Sequence, residues 1–172
     1  MSPTRSRVIV RLDVEEARVV ESVGLARHFR NVYVAPREPR ADAFGDAWDG
    51  RDQHVLGAFG EYVLAKVTGL HWPMVVENPW RLAGDVGRVQ VRTRSRRDGY
   101  AYVRYRAVPT TAYVHVARLG PLAYEVLGWL LGEDAMQPRY AYKPADARDA
   151  AWRIPTSDLY HLDELPRIEA AA

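Results

Sequence analysis

The chain contains no cysteine. That absence excludes disulfides and thiolate-held metals, so any metal ion must be bound by oxygen or imidazole. Lysine is nearly missing as well: among 24 basic residues only Lys66 and Lys143 are lysines, and the rest of the positive charge is guanidinium. No stretch approaches the roughly 18 uninterrupted apolar residues that a membrane span requires. The basic start, Met1 to Arg7, meets no apolar segment of signal-peptide length before Asp13 and Glu15-Glu16. A cytoplasmic protein with no membrane partner is therefore expected. Internal repeats and low-complexity segments are also lacking.

What remains is ordinary globular composition. With 172 residues, 48% of them apolar and 27% charged, the chain can bury the core of one domain spanning its whole length. The net charge of +2 hides an uneven distribution. Between Arg81 and Arg106 lie eight arginines (81, 88, 92, 94, 96, 97, 104 and 106) against Asp85 and Asp98, a local +6 that leaves −4 for the remainder. Such a strip is the footprint of a polyanion binder, with Arg88, Arg94, Arg96, Arg97 and Arg104 as candidate nucleic-acid contacts. Arginine-rich genomic base composition and a solvated charged face account for the same run.

Periodicity and punctuation predict an α/β or α+β unit. Asp13 to about Arg30 reads as a helix with Asp13 and Glu16 spaced as a capping pair and Val14, Ala17, Val20 and Leu25 on its apolar side. Pro36 to Gly50 reads as a loop, so residues 1–50 form an elaboration before a core of residues 51–166. A second helix runs from about Arg51 to Val67 and stops at Gly69. Strands are expected at Met74 to Glu77, Trp80 to Asp85, Val89 to Ser95, Tyr100 to Arg106, Tyr113 to Arg118 and Tyr124 to Leu131. The proline-rich end carries turns and a short helix near Ser157 to Leu165.

The second helix and the run Gly84-Asp85-Val86-Gly87-Arg88-Val89-Gln90-Val91-Arg92-Thr93 carry the candidate chemistry. At about 100° per residue, His54, Gly57, Glu61 and Ala65 share one stripe of the helix, while Leu56, Phe59 and Val63 lie elsewhere. Lys66 points away from that stripe. Strand alternation puts Gln90 and Arg92 side by side. A straight strand would hold Asp85 about 16 Å from Gln90, so a Gly-flanked hairpin at Asp85-Val86-Gly87-Arg88 is needed to bring them together. Tyr100, Tyr102 and Tyr105, interleaved with Arg104 and Arg106, read either as strand packing or as surfaces on which bases stack.

These residues resemble the PD-(D/E)XK nucleases: Glu61 matches the helical acid, Asp85 the motif aspartate, Gln90 the (D/E) position and Arg92 the lysine position. Gln90 and Arg92 depart from the usual pattern. The order of elements over residues 51–166, ending in Leu127-Gly128-Trp129 and Ile154-Pro155-x-Ser157-x-Leu159, is similar to small phage- and prophage-borne members of that superfamily. The resemblance implies a restriction-endonuclease-like mixed central sheet flanked by helices, with Glu61 aimed at the hairpin. It also implies a Mg²⁺- or Mn²⁺-dependent hydrolase of DNA.

An oxygen-lined site of Glu61, Asp85 and the Gln90 side-chain carbonyl suits such an ion, which would supply a nucleophilic water. Arg92 stays protonated, so its role is to fix and neutralise phosphate, and water activation falls to the metal or to His54. DNA is the expected partner, and a homodimer stays open. Two other classes stay open as well: a catalytically inactive DNA-binding or partner-binding module on the same fold, and an enzyme with a substrate other than nucleic acid.

Overall fold

A computed structural model describes residues 8–34, 50–74, 76, 84–95, 97–143 and 150–165. Its first strand, β1 (Val8–Arg11), leads into α1 (Val14–Phe29). Asp13 starts this helix as anticipated. Its carboxylate accepts from the Glu16 N–H at 2.8 Å, and the Glu16 carboxylate accepts from the Asp13 N–H at 2.9 Å, a reciprocal capping box. The buried stripe differs from the expected one. It runs Val20, Gly24 and Arg27, whereas Val14 is 62% exposed. Gly24 explains the shift: a Cβ there would overlap the Val55 backbone, so the helix turns its smallest residue toward its neighbour.

That neighbour is α2 (Gly50–Thr68), reached after a π-helical turn, Arg30–Val34. Its middle is enclosed on both sides. Phe59 stacks on Tyr124 with ring centroids 5.5 Å apart, and a Cβ on Gly60 would overlap the Thr93 side chain. The two glycines of this stretch differ: Gly60 permits the close approach of helix to sheet, while nothing lies within 4 Å of a Cβ on Gly57.

The main sheet contains β1, β2 (Gln90–Arg94), β4 (Ala112–Gly120) and β5 (Ala123–Leu131) in the order β1-β5-β4-β2. It is mixed, because β2 runs parallel to β4 while the other pairs are antiparallel. The fold is thus α/β in class, with helices on one face of a mixed sheet. Pairing of β1 with β5 and packing of α1 on α2 make residues 8–34 part of the same sheet and helical layer as the core beyond residue 50. A second sheet, β3 (Tyr100–Arg104), β7 (Ala151–Pro155) and β6 (Ala141–Tyr142), has the order β3-β7-β6. β6 and β7 fall in the proline-rich region that sequence assigned to turns.

Two cores result. Val20, Ala58, Val63, Leu64, Val91, Val114 and Val126 fill the space between the helices and the main sheet. On the opposite face Tyr113 and Leu130 pack with Ala101, Val103, Trp152, Ile154 and Leu159 of the second sheet and its flank. A short helix, α3 (Gly132–Ala135), and 3-10 turns at Pro138–Tyr140, Thr156–Asp158 and Leu162–Glu164 close this side. The last two turns stand where one short helix was expected.

The expected strand at Met74 to Glu77 does not form in its described residues, Met74 and Val76. Met74 has φ of 48°, outside the extended region that a strand requires. In the expected strand at Trp80 to Asp85, residues 80–83 lie outside the described ones, and Gly84 and Asp85 are not in a strand. Among the described residues no helix is long and apolar enough to cross a membrane.

Candidate functional site

The hairpin that the site requires is present, one residue later than expected. Val86 and Val89 form an antiparallel bridge, with the Val89 N–H donating to Val86 O at 3.0 Å and the Asp85 N–H donating to Val89 O at 2.7 Å. Gly87 takes the first corner with φ of 56°, a conformation that favours glycine. Gly84 is needed for a different reason. A Cβ there would lie 2.5 Å from both Arg88 C and Val89 N, so only glycine lets the incoming chain press against the turn.

Asp85 is thereby folded back onto β2. Its Oδ2 accepts from the Val91 N–H at 2.8 Å, and the Arg92 guanidinium lies 3.9 Å from the same oxygen. Among the described residues β2 is the last strand of its sheet, and the outward N–H of Val91 takes the carboxylate. Gln90 and Arg92 are adjacent on the strand face, with Arg92 Nη2 donating to Gln90 Oε1 at 3.4 Å. Arg92 also donates to Val91 O at 3.1 Å and lies 5.5 Å from the Tyr113 ring centroid.

Alternation along β2 separates two groups of site residues. Val91 enters the helix-side core, and Thr93 faces Gly60 of α2. Gln90 and Arg92 consequently occupy the other face of the sheet, while Asp85 sits at its edge. Glu61 is on the helix side and buried, at 7% exposure. Its two oxygens accept from Arg27 Nη1 at 2.7 Å and Nη2 at 2.8 Å, and Oε2 also accepts from the Trp72 indole at 2.9 Å. Such a fork-to-fork pair is strongly directional. Sequence reasoning did not find Arg27 or Trp72, because their link to Glu61 spans 34 and 11 residues and follows no local spacing.

The charges nevertheless act on one another. Burial pushes the Asp85 carboxyl above the usual carboxylate range, and the nearby Glu61 charge pushes it further, against the Val91 N–H, Arg92 and Arg27. Burial draws the Arg92 guanidinium below its usual range, with Asp85 opposing and Arg104 reinforcing that trend. Arg104 of the second sheet therefore lies within electrostatic reach of the hairpin.

His115, cross-strand from Arg92, is fully buried, and neither ring nitrogen has a hydrogen-bond partner among the described residues. Burial, then the charges of Arg92 and Arg94, hold its pKa down to about 3 from 6.5. A depressed histidine contributes stability above the unfolded-state value and loses it as pH falls toward the folded one. Between pH 7.5 and pH 5 the loss from this residue is expected to be about 2 kcal/mol. Urea unfolding at both pH values measures it, and His115→Leu should lack that component; an identical pH dependence in the two proteins would refute the assignment.

The remaining candidates are dispersed. His54 Nε2 lies 2.7 Å from the Asn31 amide nitrogen, and its ring centroid is 6.1 Å from that of His28. Those contacts tie it to the π-helical turn. Lys66 binds Glu16 of α1 at 2.6 Å. Arg94 pairs with Asp98 at 2.9 Å, Arg97 pairs with the buried Glu125 at 3.3 Å, and Arg88 and Arg104 are exposed. Arg96 lies outside the described residues.

The Asp85 carboxylate and the Gln90 side-chain carbonyl are oxygen donors of the kind that Mg²⁺ or Mn²⁺ takes. Mg²⁺ commonly takes one or two carboxylates and completes its shell with water and substrate phosphate. Asp85 Oδ1 has no hydrogen-bond partner among the described residues, and the Gln90 side-chain oxygen accepts from Arg92, whose guanidinium also lies 3.9 Å from Asp85 Oδ2. Among the described residues no group of three His, Cys, Asp or Glu side chains is arranged as a metal cage. The chain matches no protein-family model, no curated protein and no solved structure.

Proposed function

We propose that this protein is a metal-dependent deoxyribonuclease of PD-(D/E)XK type, hydrolysing phosphodiester bonds at the Asp85 hairpin. One observation supports the reading: a folded-back Asp85 caps the Val91 N–H and lies 3.9 Å from Arg92, which also donates to Gln90, at a sheet edge with no further strand among the described residues and within the electrostatic reach of Glu61. Asp85 and the Gln90 carbonyl would hold Mg²⁺ or Mn²⁺, whose contribution when bound is a water of lowered pKa and a polarised phosphoryl oxygen. Arg92, half-buried and permanently charged, neutralises the phosphate from the β2 face opposite the helices. Glu61, locked by Arg27 and Trp72, places its charge behind Asp85. The proposed compartment is the cytoplasm, where a chain free of cysteine meets no redox constraint.

A second reading, a catalytically inactive module that binds DNA, is favoured by the bidentate Arg27–Glu61 pair. With Arg27 and Arg92 set against Glu61 and Asp85, the formal charge of the four groups is zero. Incubation with single-stranded, duplex and branched DNA, with Mn²⁺ and with excess chelator, separates the two. Metal-requiring cleavage is expected; binding without cleavage would establish the second reading, and cleavage undiminished in chelator would exclude the mechanism.

Under either reading DNA affinity should fall with salt. For duplex DNA, replacing Arg88 and Arg104 by alanine is expected to make the plot of log affinity against log salt shallower by about 0.9 for each phosphate that is no longer neutralised. An unchanged slope would mean that neither of these exposed charges meets the DNA backbone.

A further inference from the structure

Tyr100, Arg139, Tyr140, Tyr142, Arg153 and Asp158 line a cleft of about 380 Å³ on the second sheet, away from the Asp85 hairpin. Strand register explains its composition. Tyr102 is paired with Arg153 and Tyr100 with Pro155, so these residues share a face, while Ala101, Val103 and Ile154 turn into the core. The face that a small sheet normally gives to solvent is here covered by tyrosine rings and guanidinium groups.

They are stacked. Arg153 lies 3.6 Å from the Tyr100 ring centroid and 5.1 Å from that of Tyr142, and Arg139 lies 4.6 Å from that of Tyr140. Neither Arg139 nor Arg153 is within ion-pair distance of a carboxylate among the described residues. Asp158 is fixed at the rim, accepting from the Tyr140 hydroxyl at 2.7 Å. Planar rings, two guanidinium groups and one carboxylate acceptor are the complement of a nucleotide: a flat base with N–H donors, and a phosphate.

We propose that this cleft binds one nucleotide of a single-stranded nucleic acid, its base against the tyrosine and guanidinium planes and its phosphate on Arg139. A base inside a duplex has both faces covered by its neighbours, so only an unstacked base reaches such planes. Asp158 repels a bare phosphate and accepts from a base amino or imino group, which favours the whole nucleotide over an inorganic anion.

The same face leads to the hairpin. Tyr142 and Tyr102 meet edge to face at 6.2 Å, Arg94 lies 4.2 Å from the Tyr102 ring centroid, and Arg94 shares its β2 face with Arg92. A strand held in the cleft and tracked along these groups arrives at Asp85. Binding in the cleft is independent of the hydrolytic reading, and only the inference that the substrate has a single-stranded portion rests on it.

The test is anisotropy of a fluorescein-labelled single-stranded DNA 15-mer and of the matching duplex, both in chelator so that neither is cleaved. Tyr142→Ala and, separately, Arg139→Glu should weaken single-strand binding at least about fivefold, the lower bound for losing one stacked base, with a smaller loss on duplex. Tyr142→Phe, which keeps the ring, should retain it. Arg139 is exposed, so its replacement reports on binding even if Tyr142→Ala unfolds the edge strand. Unchanged single-strand affinity in the Arg139 variant, or equal losses on both DNA forms, would overturn the proposal. A protein that cleaves nothing yet loses single-strand affinity in these variants keeps the cleft and removes the nuclease reading; cleavage with wild-type single-strand affinity in both variants does the reverse.

Discussion

An Asp85→Ala variant is expected to cleave no DNA form in Mg²⁺ or Mn²⁺ while retaining affinity for DNA. Gln90 is neutral and Glu61 is tied to Arg27 and Trp72, so among the described residues Asp85 is the carboxylate of the site with an oxygen to spare. Its removal leaves too little negative charge to draw a divalent ion from its hydration shell. Arg92 behaves differently. Arg92→Ala should reduce the rate by about 2.7–4 kcal/mol of transition-state stabilisation, the range seen when one such donor is removed. Arg92→Lys keeps the charge but not the planar fork, and should retain metal binding and a large part of the activity. Single-turnover rates on labelled DNA, with metal affinity from calorimetry, separate the two roles. Cleavage that survives Asp85→Ala would rule out this site.

The largest effect on stability is expected at Arg27. Arg27→Met leaves the buried Glu61 carboxylate facing Trp72 alone, and removing one member of such a pair costs about 3–5 kcal/mol. Adding Glu61→Gln should recover most of that loss, because the amide carbonyl still accepts from the Trp72 indole and no unpaired charge remains. Urea denaturation of the two variants measures the difference. If Arg27→Met is neutral while the double variant is destabilised, the ion pair is not the support of this helix pair. The double variant also bears on function: if it still cleaves, the Glu61 charge is dispensable and Asp85 with Gln90 suffices.

The local features were the legible ones. The Asp13–Glu16 capping box, the extent of α2, and β2 through β5 follow from spacing, because side chains three or two positions apart meet whatever the rest of the chain does. The hairpin before Gln90 followed from two glycines and from the geometric demand that Asp85 and Gln90 meet. β1, β6 and β7 were missed: none can be told from a loop until its partner strand is in place, and β7 ends at Pro155 in a region whose prolines argue for turns. Met74 shows the opposite error, an apolar run whose left-handed backbone cannot join a sheet.

The sequence by itself determined which residue types are available for chemistry. It excluded thiolate metal sites, concentrated guanidinium charge beside Asp85, and put Gln90, Arg92 and Arg94 on one strand face through a period of two. Tertiary structure decided what each group is free to do. It committed both Glu61 oxygens to Arg27 and Trp72, buried His115 beside two arginines, and set Arg153 between Tyr100 and Tyr142 on another sheet. Covalent spacing governs neighbours, whereas the partners of a buried charge are whatever the packing of distant elements brings within hydrogen-bonding range, and in a low-dielectric interior those partners set its reactivity.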